Sequence, residues 1–247
     1  MSKPALGLAS LGLALVSCSV LEQPLEGEPW EEFRAGEVVV GATSGWAFYQ
    51  AKAKAAGKSG VLTGDSGSDT TDLVPNWGGA AKLHYLVTDN FAMGAIVEVR
   101  SFNPDSLKPL SAELSTGDFE TLHLIAGGRY YFDPFEEGGR WRPYLGLDFS
   151  WVPDVKLGDV TVDYPESTGI PDETVNVTGS DYWTIIGIAG FNYQASDHML
   201  IEMGAFYDYA LTTSDATVAF QNLGGAEAEM ALRPQGLVIY LGVAYSF

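Results

Sequence analysis

The last eleven residues, 237–247, read LVIYLGVAYSF and decide the fold. In an extended chain successive side chains point to opposite sides, so every second residue shares a face. Here one such face is apolar along its whole length and consists of Leu237, Ile239, Leu241, Val243, Tyr245 and Phe247. A strand of this kind that ends on an aromatic residue is typical of a barrel strand facing lipid.

Seven earlier segments repeat this alternation. They cover residues 37–48, 77–87, 91–100, 121–132, 141–151, 183–193 and 199–209. The segment 183–193 is apolar on both faces, so the pattern alone leaves its register open. With the terminal strand there are eight, an even number, which puts both chain ends on the same side of the membrane. The sequence predicts an all-β fold, an eight-stranded antiparallel transmembrane up-and-down β-barrel with periplasmic termini.

The connections between these segments alternate in length. Short ones fall near residues 87–90, 133–140 and 195–198, and long ones near 51–75, 104–117, 153–180 and 212–233. Barrels of the outer membrane have short periplasmic turns and longer extracellular loops, so four long extracellular loops are predicted. Strand-like alternation returns within two of the loops and predicts hairpins above the membrane, 160–164 with 174–178 and 217–220 with 228–232. Open strand edges there could recruit a partner strand.

Charged and histidine side chains within the strands fall on the smaller, non-lipid face. A Lys or Arg facing lipid at mid-depth costs about 2 to 4 kcal/mol, which accounts for this placement. Eight strands enclose only enough space for side chains, so we expect these groups to pair across the lumen rather than line an open channel. The predicted lumenal polar network comprises Glu37, Lys82, His84, Glu98, Arg100, His123, Arg129, Arg142, Asp148, Glu202 and Asp208.

Aromatic residues supply an independent check, since Trp and Tyr concentrate at membrane interfaces. Strand ends next to the long loops carry Trp46, Phe48, Trp77, Trp151 and Trp183. Strand ends next to the short turns carry Tyr85, Phe91, Phe132, Trp141, Tyr193 and Phe247. The topology therefore predicts two aromatic belts. A soluble barrel or sandwich would place its aromatic residues centrally instead.

The first residues are interpreted as an export signal spanning residues 1–18. Lys3 precedes an apolar run of small residues that is too short and too glycine-rich to cross a membrane as a helix. Leu15, Val16, Ser17 and Cys18 resemble the lipobox of bacterial lipoproteins, which would make Cys18 a lipidation site; conventional cleavage nearby is the alternative. Residues 19–35 are then an acidic periplasmic tether, and residues 36–247 the barrel.

The composition of the chain limits the kinds of partner and cofactor that it can bind. The net charge is -19, with the acidic residues concentrated in the tether and the loops, which argues against nucleic acid and other anionic partners. The single cysteine excludes a disulfide framework. No spacing typical of zinc or haem ligands occurs, so no cofactor or metal is predicted.

Two stretches resemble the small outer-membrane barrels. Residues 83–97, LHYLVTDNFAMGAIV, look like their strand, Thr-Asp-Asn turn, strand unit, and residues 142–151, RPYLGLDFSW, resemble one of their strands. The chain is similar to the opacity-protein, OmpA-like, OmpX-like and OmpW-like barrels over roughly residues 36–247. The resemblance implies a bacterial outer-membrane location, contact with outer-membrane lipids, and recognition of Tyr245 and Phe247 by the barrel assembly machinery.

Three functional hypotheses remain from the sequence. The leading one is a non-enzymatic envelope protein whose loops bind an extracellular ligand or help organise the membrane. The second is a narrow channel for small or hydrophobic solutes, as in OmpW-like barrels, because glycines are frequent on the lumenal face. The third is a lipid-modifying enzyme, but neither His84 nor His123 has the His-x-Ser spacing of barrel deacylases. No catalytic residue is predicted.

Overall fold

The computed structural model describes residues 33–104, 113–116, 119–135, 140–153, 155–164, 167 and 169–247. Its strands are β1 (Val38–Gly57), β2 (Ser66–Thr88), β3 (Phe91–Pro104), β4 (Glu113–Thr116), β5 (Phe119–Tyr131), β6 (Trp141–Val152), β7 (Val155–Asp163), β8 (Glu173–Gly179), β9 (Tyr182–Gln194), β10 (Met199–Ala210), β11 (Ser214–Phe220) and β12 (Ala226–Ser246). No helix among these residues is long and apolar enough to cross a bilayer.

Eight of these strands close into an antiparallel barrel. The pairing runs β1, β2, β3, β5, β6, β9, β10, β12 and back to β1. The terminal strand β12 closes the barrel against β1, with Val40 opposite Tyr245 and Phe48 opposite Leu237. The predicted all-β, eight-stranded antiparallel barrel is confirmed, and all eight strands occur where the alternation placed them.

The outer wall of the barrel is apolar. The side chains alternate between exposed and buried along each strand, and between the two aromatic belts the described outward rows carry no charged residue. Trp46 is 65% exposed and Leu145 53%, values that would be unfavourable in water. In the strand that is apolar on both faces, Ile186 and Ile188 point inward while Trp183 and Phe191 point outward. This exterior is suited to a lipid bilayer.

The prediction that residues 51–75 form a loop was wrong. β1 continues to Gly57 and β2 begins at Ser66, so only residues 58–65 connect them, including a 3-10 turn at Gly60–Leu62. The stretch alternates small buried alanines, Ala51, Ala53 and Ala55, with exposed polar residues. Apolar burial on one face is enough to keep the strands paired above the membrane. The small size of these side chains made the pattern look like a loop.

The predicted extracellular hairpins are confirmed. β7 pairs with β8, and β11 pairs with the upper half of β12. β7 also pairs with β4 and with the upper end of β5. Most of the predicted loop at 104–117 lies outside the described residues, and its described part is the edge strand β4. The export signal and Cys18 also lie outside them.

The interior has two apolar regions. The lower core lies towards the periplasmic end and includes Phe33, Leu86, Tyr131 and Leu200. Phe33 is therefore part of the folded structure, although it precedes the predicted start of the barrel at residue 36. The upper core is contributed largely by the extracellular strands. Its buried members include Tyr49, Ala53, Leu73, Phe102, Val155, Val162, Val177, Tyr182, Val218, Phe220, Met230 and Leu232.

Candidate functional site: the barrel lumen

The lumen contains the polar residues that share the inward rows of the strands. Ten of the eleven residues in the predicted network are at most 8% exposed: Lys82, His84, Glu98, Arg100, His123, Arg129, Arg142, Asp148, Glu202 and Asp208. Glu37 is half-buried at the periplasmic end, where its carboxylate accepts a hydrogen bond from Ser246 Oγ at 2.9 Å. Burial of so many charges requires that they be paired.

Arg100 organises the upper charge cluster, which consists of Arg100, Glu98, Asp208 and Tyr49. Its guanidinium donates to Glu98 Oε2 at 2.8 Å and to Asp208 Oδ2 at 2.5 Å, and it also contacts the Tyr49 hydroxyl. Tyr49 donates to Asp208 Oδ2 at 2.9 Å. The guanidinium carbon lies 5.4 Å from the centre of the Tyr49 ring and 5.2 Å from that of Phe206. The cluster links β1, β3 and β10 across the lumen.

A second group of charges lies deeper in the barrel. Lys82 of β2 forms an ion pair with Glu202 of β10, and both side chains are at most 2% exposed. Arg129 Nη2 of β5 lies 3.3 Å from Asp148 Oδ2 of β6. Beside these pairs, the hydroxyls of Tyr144 and Tyr240 hydrogen-bond to each other. We call these six residues the middle cluster.

Two glycines make room for this filling. A Cβ added to Gly94 would lie 2.1 Å from His84 Cδ2, and one added to Gly127 would lie 2.0 Å from Asp148 Oδ1. Both contacts are closer than atoms can approach. These lumenal glycines therefore make space for neighbouring large side chains and do not widen a channel.

The three histidines have different surroundings. His123 lies between Thr121 Oγ1 at 3.0 Å and Ser150 Oγ at 3.1 Å, so the fold does bring one serine and one histidine together. His84 Nδ1 has no hydrogen-bond partner among the described residues. His198, in the periplasmic turn, packs its ring 5.4 Å from that of Tyr245.

The contact of Ser150 with His123 lacks the other parts of a catalytic site. Ser150 is 0% and His123 1% exposed, so no substrate reaches the hydroxyl. The other ring nitrogen of His123 faces the hydroxyl of Thr121, whereas a triad has a carboxylate there. The pair is a satisfied polar contact in the upper lumen. Within the described residues there is also no group of three or more side chains that could hold a metal ion.

The periplasmic mouth is closed by a contact that the sequence did not reveal. Arg142 donates to the backbone oxygens of Phe132 at 2.8 Å and Asp89 at 3.0 Å. Its guanidinium lies over the ring of Phe33 at 5.0 Å and that of Tyr131 at 5.8 Å. The segment before β1 thus folds under the barrel, and Ala35 N donates to Asp89 Oδ1.

One cavity of about 40 Å³ remains among the charges, room for a few water molecules. It is lined inside the barrel by Lys82, Glu98 and Arg129, among others. It also touches Ser44 and Gly79, which lie at outward positions of β1 and β2. A bulge near Pro75 interrupts the pairing of β2 with both neighbours just above this point. The regular pairing of the barrel wall is interrupted there.

Several lumenal residues that matter were not singled out by the sequence. Tyr49, Tyr144, Tyr240, Thr121 and Ser150 all hydrogen-bond to network members or to each other. Each lies on an inward row, so the alternation that located the charges also located them. Their partners depend on the stagger of neighbouring strands, which the sequence does not specify.

Comparison with known proteins supports the fold. No family model matches the chain, and no curated protein matches it. Among solved structures it is similar to the outer membrane protein OprG from Pseudomonas aeruginosa, with 17% identity, a TM-score of 0.61, and coverage of 88% of this chain and 99% of that chain. That similarity establishes the fold.

Two further similar structures are the outer membrane protein AlkL and the outer membrane protease OmpT from Escherichia coli. AlkL has 15% identity, a TM-score of 0.49, and coverage of 91% of this chain and 95% of that chain. OmpT has 8% identity, a TM-score of 0.45, and coverage of 85% and 97%. Both scores are too low to support an argument.

The chain has the fold of the outer-membrane β-barrels, and its apolar wall is that of an integral protein of the bacterial outer membrane.

Proposed function

We propose that this protein is a sealed, non-enzymatic barrel that anchors a folded extracellular β-structure, which binds a partner at the cell surface. The observation that carries the proposal is the filling of the lumen at three levels. Phe33 and Arg142 close the periplasmic mouth, two charge clusters cross the middle, and the upper core closes the top.

The extracellular strands are fastened to one another by hydrogen bonds, as expected of a binding surface. β8 and β11 are not paired as strands, but side chains join them. Ser214 Oγ donates to Ser180 O at 2.6 Å, Asp215 N donates to Ser180 Oγ at 2.9 Å, and Asn222 N donates to Glu173 Oε2 at 3.1 Å. Tyr164 donates to the other oxygen of Glu173, and the pKa of Tyr164 is raised by burial and by this carboxylate. A rigid surface binds with a smaller entropic cost than flexible loops.

The test is single-channel recording of the refolded protein in planar bilayers. A sealed lumen predicts no reproducible conductance steps. The variant Y144A/Y240A removes two rings that meet across the lumen and should conduct more than the native chain, which shows that the assay can detect opening. Regular steps from the native protein would contradict the proposal.

A second candidate function is passage of small hydrophobic solutes through the wall beside the bulge of β2 near Pro75. The cavity that touches both Lys82 and the outward-facing Ser44 favours it. Its lining includes the charged groups of Lys82, Glu98 and Arg129, whose contact with an apolar solute is unfavourable, which is why this function ranks second.

Uptake of a small hydrophobic dye into proteoliposomes distinguishes the two. Replacing Ser44 with Phe should block such a path, whereas Ala42→Phe, one outward position lower on β1, should not. Equal uptake by both variants, or none above protein-free vesicles, excludes passage through this wall.

A further inference from the structure

We propose that the outer face of β1 and β12, just above the membrane, binds the phosphate groups of a lipid headgroup in the outer leaflet. The residues that carry the inference are Lys52, Lys54 and Arg233, which we call the basic patch. This inference concerns the outside of the barrel and does not depend on whether the lumen is sealed.

The basic patch continues the lipid-facing row of β1. Along this strand the outward residues are Trp46 and Phe48 at the membrane, then Gln50, Lys52 and Lys54 above it. The change from aromatic to basic side chains on one uninterrupted row marks the depth at which hydrocarbon gives way to headgroups. The lysines thus point towards the surrounding lipid and not towards the lumen.

The contacts of Arg233 show at what height along the barrel the basic patch lies. It donates to Ala210 O at 3.0 Å and to the Tyr209 hydroxyl at 2.8 Å, and its guanidinium lies 4.8 Å from the centre of the Tyr209 ring. Tyr209 is 40% exposed at the upper end of β10, where the outer aromatic belt lies. The positive charge of Arg233 is therefore at the membrane surface.

The positive charges of the basic patch lie close together and repel one another. Lys52 lies directly opposite Arg233 in the pairing of β1 with β12, where side chains are about 5 Å apart. Like charges in this position are destabilising unless an anion lies between them. The side chains of Lys52 and Lys54 form no hydrogen bond or ion pair with any other described residue.

The nearby carboxylates have hydrogen-bond or ion-pair partners other than the two lysines. Asp72 accepts a hydrogen bond from Gln50 Nε2 at 2.9 Å, and Asp215 accepts one from the hydroxyl of Thr213 at 2.9 Å. Glu229 forms an ion pair with Lys58. The chain has a net charge of -19, so an unpaired cluster of cations at the membrane surface is unusual for it. A phosphorylated headgroup would supply an anion in direct contact with the lysines, and each cation near a membrane surface adds to such binding.

The experiment measures thermal unfolding of the detergent-solubilised full chain by its gel mobility shift. The probes are bis-phosphorylated lipid A, the same lipid without phosphates, and inorganic pyrophosphate. We expect the phosphorylated lipid to raise the unfolding midpoint by roughly 4 °C at saturation. The variant K52Q/K54Q should lose at least half of this rise. It removes two exposed charges and leaves no other side chain without an ion-pair partner.

The control is K156Q, which removes a positive charge from another exposed lysine of the extracellular part, outside the basic patch. It should keep the rise. An equal rise in K52Q/K54Q, or an equal loss in the control, would overturn the proposal. So would an equal rise with the dephosphorylated lipid, which would indicate apolar contact only. An equal rise with pyrophosphate would indicate a site for soluble anions and would overturn the lipid as its source.

Discussion

Replacing Arg100 with Leu is expected to be among the most destabilising single changes in the barrel. Arg100 is 1% exposed and holds two carboxylates, at 2.8 Å and 2.5 Å. Its loss leaves Glu98 and Asp208 buried without their cation, and breaking a buried pair in this way costs about 3 to 5 kcal/mol. The free energy of unfolding is measured by urea titration of the protein in lipid vesicles, followed by tryptophan fluorescence.

An exposed ion pair provides the control. Lys58 and Glu229 have side chains that are 45% and 54% exposed, so Lys58→Ala should change the free energy by no more than about 1 kcal/mol. The double variant R100L/D208L should recover part of the loss, with a coupling energy of about 1 to 3 kcal/mol between the two sites. A loss below about 1 kcal/mol for Arg100→Leu would refute the view that this cluster is dry and tightly paired.

Three other changes test separate features. Gly94→Ala brings a methyl group within 2.1 Å of the His84 ring and should cost about 1 to 3 kcal/mol in the same urea titration, and a neutral result would mean that the lumen is loosely packed. Asn222→Ala removes the two bonds that its side-chain Nδ2 donates to Pro171 O and Asp172 O just before β8, so limited proteolysis of intact vesicles should cut the extracellular part faster, with the barrel unaffected. Lys52→Glu places a carboxylate opposite Arg233 and should stabilise the lipid-free protein by about 0.5 kcal/mol, and destabilisation would contradict the like-charge repulsion.

The sequence predicted the barrel wall well because lipid imposes a strict rule on it. A lipid-facing charge is so costly that the lipid-facing rows carry none within the membrane, and the row of β6 with Trp141, Leu145, Phe149 and Trp151 is an example. Above the membrane the outward side chains face water, so an outward row need not be apolar. The upper halves of β1 and β2 were therefore missed, although Ala51, Ala53 and Ala55 alternate with polar residues there.

The sequence predicted which residues line the lumen but not which of them contact one another. Alternation tells which side chains face inward, whereas the stagger between strands decides which of them meet. The contact of His123 with Ser150 spans 27 residues of sequence and two strands, so no local spacing could indicate it. Phe33 precedes the first strand and has no periodicity, and its contacts with Arg142 and Tyr131 explain why it is buried.

The uninterrupted course of β1 has a mechanical consequence. The strand runs from Val38 at the periplasmic end to Gly57 at the extracellular tip, and its bonds to β12 lie across its axis over that whole length. Tension applied at the tip by a bound cell or surface would load these bonds together as a shear, instead of peeling them one by one. A protein held in this way should resist extraction from the membrane under load better than one held by a flexible tether.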